Sequence, residues 1–550
     1  MTKRTKPVKK ISLERYTLEV NLRRVNYDKF DFREIEEFVQ TLAAGRQYEY
    51  DAIKSVMTYL WGGSYKNITD LAHENYQGNE QLRNKYGDET IFLSHLPLAD
   101  RLSGVVHMAT GTGKSYVIFA VAYLSIVMGY VKRVLVLGPS STIIEKGLTD
   151  KFKKYIRNYK LLDTLPTQYK NIPVELLTDR NEMEDGNIVI ENINAIYGRG
   201  GINETFFNTD DEVLVLGDEI HHAYTHLLYG ESQHKLSLEE KGKKEKEDER
   251  LWMKFLRENT KIKRHIGFTG TPYNSDDYFT DVIFNYSIRT AIDAKYIKDI
   301  NNLIEAKDEK GEHTHPSPEQ KFEIIYQKHK ENAVKFSYGK KVKPITIFIC
   351  ERQGSAKKRS DEFINFLADH EFSHINALSE RNQEAREKVI VVTSNTDIKK
   401  YKDKPENIEE INPQKIGGKV EYIFAVNKLS EGWDVDNVFQ IVPLEERVFN
   451  SKLLISQVLG RRLRIPRKIS YHEVIGRYPI VTVTNHDKFA THIKELLDAV
   501  VESDLSVRSH PLDQNHERSK YHFDLFNLSY LPEEKFINIE KPTRNLQVFT

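Results

Sequence analysis

The sequence predicts an α/β protein: two parallel-sheet lobes in tandem, preceded by a helical N-terminal extension and followed by a short C-terminal segment. Three observations predict it. Between residues 101 and 300, short apolar runs that end in polar clusters alternate with helical patterns, as expected of strands covered on both faces by helices. The same alternation resumes over 326–490, after a polar stretch at 301–325 that holds Gly311, Pro316, Ser317 and Pro318 and reads as a linker. The third observation is a Gly-rich loop set between a buried strand and a buried helix, His107-Met108-Ala109-Thr110-Gly111-Thr112-Gly113-Lys114-Ser115.

Composition bounds the rest. A chain of 550 residues is long enough for several domains. Basic and acidic residues balance at 81 each, so any nucleic-acid-binding surface must be local. The single cysteine, Cys350, lies in an apolar run and reads as a buried structural thiol, with no disulfide and no cysteine zinc cluster. No apolar segment is long enough to span a bilayer, and residues 1–10 are basic without an apolar stretch behind them. A cytoplasmic setting without membrane attachment is the expectation.

Residues 1–100 form the helical extension. Phe38, Leu42, Ile53, Val56, Met57 and Leu60 recur there at helical spacing. Strands follow at 131–137, 187–191, 213–216 and 265–268. Their carboxyl ends carry Pro139-Ser140-Ser141, then Asn192 and Asn194, then Asp218-Glu219-Ile220-His221-His222, then Thr269-Gly270-Thr271-Pro272. In open parallel sheets ligands bind at those ends. The charged run 238–250 reads as a solvated helix or insertion. In the second lobe, strands are expected at 345–350, 389–393, 422–426, 438–442 and 480–483. The segment 491–550 is read as helical or irregular, the start of a further domain.

The loop carries the first chemistry. Successive backbone N–H groups and a helix N-terminus suit a phosphate chain. Gly111 and Gly113 permit close approach and sharp turning, Lys114 is placed for the outer phosphates, and the Ser115 hydroxyl for Mg²⁺. Met108 replaces the first Gly of the full phosphate-loop pattern, and the bland alternative is an ordinary turn. Asp218, at the tip of a buried strand, is placed to hold Mg²⁺ through water, and Glu219 to orient and deprotonate an attacking water. The alternative for Asp218 is a helix cap.

The second lobe has no phosphate loop. It carries Ser430-Glu431-Gly432-Trp433-Asp434 and Gln457-Val458-Leu459-Gly460-Arg461-Arg462-Leu463-Arg464. On a helix, Gln457, Arg461 and Arg464 fall at i, i+4 and i+7 and share one face. A solvated basic surface is the plain alternative.

Taken in order, these segments resemble the superfamily-two helicases and translocases. Within them the chain is most similar to the restriction subunit of type III restriction enzymes and related phage-defence helicases of the DEAD/DEAH-box type. The resemblance is carried by 109–115, Asp218-Glu219-Ile220-His221, 268–272, 430–434 running into Asn437-Val438-Phe439-Gln440, and 457–464. It implies that both lobes are RecA-like and that the protein is an ATP hydrolase. ATP and Mg²⁺ are the implied cofactors. Ala109, Thr110, Gly111, Thr112, Gly113, Lys114, Ser115, Gly432 and Asp434 would bind the nucleotide, with Ser115 and Asp218 on the metal. Lys114, Asp218, Glu219, His221, Gln457, Arg461 and Arg464 would be catalytic, the two arginines as arginine fingers from the second lobe. Thr269 and Thr271 would couple hydrolysis to movement. Pro139, Ser140, Ser141 and Asn192 would touch the nucleic-acid backbone without reading sequence.

The chain departs from the family at two places. Arg462 stands where Gly is usual. Glu49 stands where the family's adenine-reading glutamine follows Tyr, with Gln47 two residues earlier. Ionised, Glu49 can accept from adenine's amino group but cannot donate. The implied partner is DNA, double-stranded first, with RNA as the alternative, and a methyltransferase or nuclease as companion subunit. No Pro-Asp…Glu-x-Lys nuclease cluster stands in 501–550, so nuclease activity is expected elsewhere. Three readings compete: a DNA translocase of a restriction or phage-defence system, a stand-alone helicase or remodeller of DNA or RNA, and a non-hydrolysing ATP-binding switch.

Overall fold

Apolar runs without alternation mean strands buried on both faces, and the first lobe is built that way. In the computed structural model, residues 16–139, 142–177, 186–193, 212–224, 243–274, 277–305, 317–350, 352–392, 407–426, 435–444, 452–484, 500 and 508–511 are described. The chain forms two units. One holds Arg15–Ala109 and Gly113–Tyr286; the other holds Thr110–Thr112 and Ser287–Phe526.

The first unit contains β1 (Leu102–Met108), β2 (Arg133–Gly138), β3 (Glu175–Leu177), β4 (Asn187–Asn192), β5 (Val213–Asp218) and β6 (Ile262–Thr269). A small hairpin, β7 (Tyr273–Asn274) and β8 (Asp277–Tyr278), precedes β9 (Val282–Tyr286). The seven-stranded sheet runs β3-β4-β2-β5-β6-β1-β9, and every pairing in it is parallel. β1 is buried at all its positions, as a central parallel strand requires.

The helix Lys114–Val127 follows β1. It is buried at every residue from Val117 to Val127, so its apolar residues encircle it rather than forming one stripe. Helix Gln47–Trp61 packs against it. Trp61 Nε1 donates to Ser125 Oγ at 3.1 Å, the Trp61 ring stacks on Tyr130, and the Arg264 guanidinium lies over the same indole. The helical extension is therefore part of the first unit and not a domain of its own. Asn67, Asn79 and Asp88 cap the helices Ile68–Gly78, Glu80–Tyr86 and Glu89–Ser94 through their side-chain oxygens.

The second unit contains β10 (Asp299–Glu305), β11 (Ile345–Cys350), β12 (Val389–Val392), β13 (Tyr422–Val426), β14 (Val438–Pro443), β15 (Ile480–Thr484) and β16 (Arg508–Pro511). Its seven-stranded sheet is also all parallel, in the order β12-β13-β11-β14-β15-β10-β16. Cys350 is fully buried in it. The expected linker at 301–325 is corrected here. It begins inside β10 and ends inside the helix Pro318–Lys335, whose N-terminus is fixed by a Ser317–Gln320 capping box with Pro at its start.

A polar chain, half-buried at its Lys388 end and buried from His329 onward, crosses this second sheet. Lys388 Nζ meets Glu371 at 2.8 Å and Glu421 at 3.0 Å, and Glu421 faces His329 Nε2 at 3.3 Å. Through Nδ1, His329 meets Thr346 Oγ1, which donates to Gln440; Gln440 in turn donates to Thr484. Burial alone would push Glu421 up, but the His329 hydrogen bond and the Lys388 charge hold it down to about 2. Its folded value thus lies below the ordinary 4.5. The stabilisation it brings is complete above that value and is lost as pH falls towards 2. Glu421→Gln is expected to cost roughly 1–3 kcal/mol near neutrality. Denaturant unfolding checks this: the gap from wild type should narrow clearly by about pH 3.

Candidate active site at the strand tips of the first sheet

β1 ends at Met108, and the loop that follows turns twice through left-handed backbone, at Gly111 (φ 91°) and Gly113 (φ 90°). Any side chain would be strained at either position. Gly113 is also the N-cap of the helix Lys114–Val127 and supplies no side-chain cap, so the helix's first N–H groups are open to an anion. The loop is tethered behind by Ala109 N–H, which donates to Tyr286 O at 2.9 Å.

Two strands away, β5 ends at Asp218. Glu219 then adopts φ 51°, a left-handed conformation that costs a non-Gly residue about 1–2 kcal/mol. Ile220 explains the turn. Its N–H donates to Phe268 O, and its side chain fills the space left by two glycines on neighbouring strands. A β-carbon at Gly267 would lie 2.6 Å from Ile220 Cγ2, and one at Gly217 2.9 Å from Ile220 Cδ1. This plug seats the Asp218-Glu219 pair at the sheet's edge.

The strand tips bring the predicted groups together. Lys114 Nζ donates to Glu219 Oε1 at 3.0 Å, with only 10% and 14% of the two side chains exposed. Asp218 Oδ1 accepts its own neighbour's N–H, from Glu219, at 3.0 Å. His221 is buried, with Nδ1 2.9 Å from Thr269 Oγ1 and 3.5 Å from Glu219 Oε2. Thr269 Oγ1 also accepts the Thr271 N–H at 3.0 Å and lies 3.3 Å from Thr271 Oγ1. One connected set therefore runs Lys114–Glu219–His221–Thr269–Thr271. Burial and the adjacent Glu219 carboxylate push Asp218 up, against the pull of Lys114 and Lys151. A carboxylate crowded in this way is relieved by a cation, and Asp218 and Ser115 supply hard oxygen donors of the kind that suits Mg²⁺. The residues present fit the metal.

The other predicted residues are placed by their own elements or lie outside the described residues. Pro139 is buried at the end of β2, and Asn192 closes β4; Ser140 and Ser141 lie outside the described residues. So do Gly432 and Asp434. Gln457 and Arg461 belong to the helix Lys452–Arg462.

The shared helical face is corrected at Arg464. The helix ends at Arg462, and Arg464 is extended, bridged to Ile297. Pro466 disfavours helical backbone at Ile465. The buried Lys298 ammonium takes the Arg462 carbonyl at 3.1 Å and the Val438 carbonyl at 2.7 Å, while Lys298 N–H donates to Leu463 O. These bonds pull the chain out of its helix two residues before Arg464.

The sequence points Glu49 towards base recognition; the structure places it, fully buried, against Gly113 of the loop. No periodic signal joins residues so far apart in the chain.

Residues 45–274 match the family model "Type III restriction enzyme, res subunit". No curated protein matches the chain. Among solved structures, Saccharomyces cerevisiae Dbp5 bound to RNA and ADP BeF3 is similar at 11% identity over 84% of this chain and 94% of that one, with a TM-score of 0.42. A fragment of a putative HsdR subunit of a type I restriction enzyme from Vibrio vulnificus is similar at 17% identity, over 75% and 64%, at 0.39. The type ISP restriction-modification enzyme LlaBIII bound to DNA is similar at 16%, over 75% and 29%, at 0.43. Among the described residues, no helix is long and apolar enough to cross a membrane.

Proposed function

We propose that this chain, whose residues 45–274 match the family model "Type III restriction enzyme, res subunit", is an ATP-driven motor that moves along DNA in a restriction or phage-defence system. The observation that carries the proposal is the meeting of Lys114 and Glu219 at 3.0 Å, beside Asp218 and below an uncapped helix N-terminus. Phosphate seat, metal-binding carboxylate and water-orienting carboxylate then share one sheet edge.

In this reading the N–H groups of 109–115 bind the phosphate chain. Lys114 exchanges its partner Glu219 for the outer phosphates, and Glu219, once released, takes a proton from water. Ser115 and Asp218 would hold Mg²⁺, which when bound neutralises phosphate charge. Thr269 and Thr271, joined to Glu219 through His221, relay the state of the site to the rest of the unit. Arg461 and Arg464 supply positive charge to the transferred phosphoryl group, Gln457 positions phosphate or water, and Gly432 and Asp434 hold the sugar. Pro139, Ser140, Ser141 and Asn192 would follow the nucleic-acid backbone.

The test is steady-state ATPase with double-stranded DNA, single-stranded DNA or RNA added separately. Stimulation by duplex DNA is the expected result; stimulation by RNA alone would make the protein an RNA remodeller, and no turnover would sink the motor. Binding carries its own expectation. Although net charge is zero, affinity for nucleic acid should fall steeply with salt, because neutralising phosphates releases counterions. Fluorescence anisotropy between about 50 and 200 mM salt should show a loss of at least roughly tenfold, and a flat response would exclude a phosphate-tracking groove.

A further inference from the structure

The helix Gln47–Trp61 begins against the phosphate loop, and Glu49 lies in its first turn with 0% of its surface exposed. Glu49 Oε1 accepts from Arg46 Nη1 at 3.0 Å. The other oxygen, Oε2, is buried and has no hydrogen-bond partner among the described residues. The carboxyl presses on Gly113, the residue from which Lys114 departs: a β-carbon there would sit 2.0 Å from Oε1. Gly113 is thus required twice, for its left-handed backbone and for the room Glu49 takes. An acid is packed against the seat of a polyanion.

We propose that Glu49 is a positioning residue whose charge sets how tightly the loop grips a nucleotide's phosphates. The inference rests on the phosphate-loop reading above. Neutral, the carboxyl supports Gly113, and the loop's N–H groups meet the phosphates unopposed. Ionised, with its proton given to solvent, it sets a like charge beside them, offset only by Arg46. Burial pushes Glu49 up to about 8, against the pull of Arg46. The titratable and charged groups facing this contact are Arg46 from the preceding turn, Tyr116 from the helix Lys114–Val127, and Tyr155 from the helix Thr142–Ile156. Burial pushes the Tyr155 phenol up. The sign follows: grip is firm below about 8 and weakens as pH rises through it.

The experiment measures ATP binding, with Mg²⁺ present, by the full chain from about pH 6.5 to about pH 9. Wild-type affinity should weaken roughly tenfold across that range, and Glu49→Gln, which keeps the volume, should stay flat. Arg46→Met should move the fall to higher pH, because the carboxyl loses the cation that favours its ionised form. Glu49→Ala, which no longer supports Gly113, should bind ATP more weakly than Glu49→Gln at every pH. Parallel pH profiles for wild type and Glu49→Gln, or an unmoved profile in Arg46→Met, overturn the proposal. Absence of ATP binding by wild type, or equal binding by Lys114→Ala, would instead overturn the phosphate-loop reading itself.

Discussion

Arg464→Ala is expected to leave the fold and nucleotide affinity nearly unchanged while catalysis falls by roughly 10³-fold or more, the loss seen when an arginine finger is withdrawn. The backbone around Arg464 is fixed independently of its side chain. The bridge to Ile297 and the Lys298 bonds to Leu463 and Arg462 remain when the guanidinium is removed. A drop in turnover would therefore report the guanidinium and not a local unfolding. Arg464→Lys should recover only part of the loss, because an ammonium lacks the planar fork that matches phosphate oxygens. A residue that merely solvates the surface would make both changes nearly silent. ATPase on the folded variants, with nucleic acid saturating, checks this; wild-type turnover in Arg464→Ala would remove Arg464 from the mechanism.

Glu219→Gln should still bind ATP and turn it over at least about 100-fold more slowly, the scale of a lost acid–base group. Two features single out Glu219 over Asp218. Glu219 Oε1 is already engaged by the Lys114 ammonium, and Oε2 faces His221, which continues to Thr269. Asp218 bonds back to its own neighbour's N–H. The amide of Gln keeps the size of the side chain but cannot take a proton from water. It also frees Lys114 from its ion pair, so nucleotide affinity should hold or rise. Turnover near the wild-type value would reassign the base. Single-turnover hydrolysis alongside equilibrium nucleotide binding separates the two effects.

Much of the architecture was legible because its physics is local. The strands at 187–191 and 422–426 are built on the apolar runs 188–190 and 422–426, and the structure keeps them at Asn187–Asn192 and Tyr422–Val426. The loop of 109–115 could be read because two glycines, a lysine and a serine have few other reasons to stand together ahead of a wholly apolar helix. β10 was illegible for the converse reason. Asp299, Asn301 and Asn302 resemble a linker, and only pairing with β15 and β16 makes them a strand. Arg464 was misread because helical periodicity does not register a buried lysine arriving from another element. The contact of Glu49 with Gly113 depends on how helix Gln47–Trp61 docks, which no spacing encodes. Glu219's left-handed turn was hidden too, because its cause, Ile220 over Gly217 and Gly267, spans two strands.

The placing of β10 has a consequence for how the protein is made. β10 is the first strand of its sheet to leave the ribosome, yet both its neighbours, β15 and β16, are among the last. Some 175 residues separate Glu305 from Ile480. At ordinary elongation rates that interval lasts roughly 10–40 s. Through it the nascent strand carries two unsatisfied edges, while the first unit's strands, all earlier in sequence, are free to pair. Biogenesis should accordingly run in two stages, with the second sheet closing only near the end of synthesis. A ribosome stalled before codon 480 should display a protease-resistant first unit joined to a second that is still digestible.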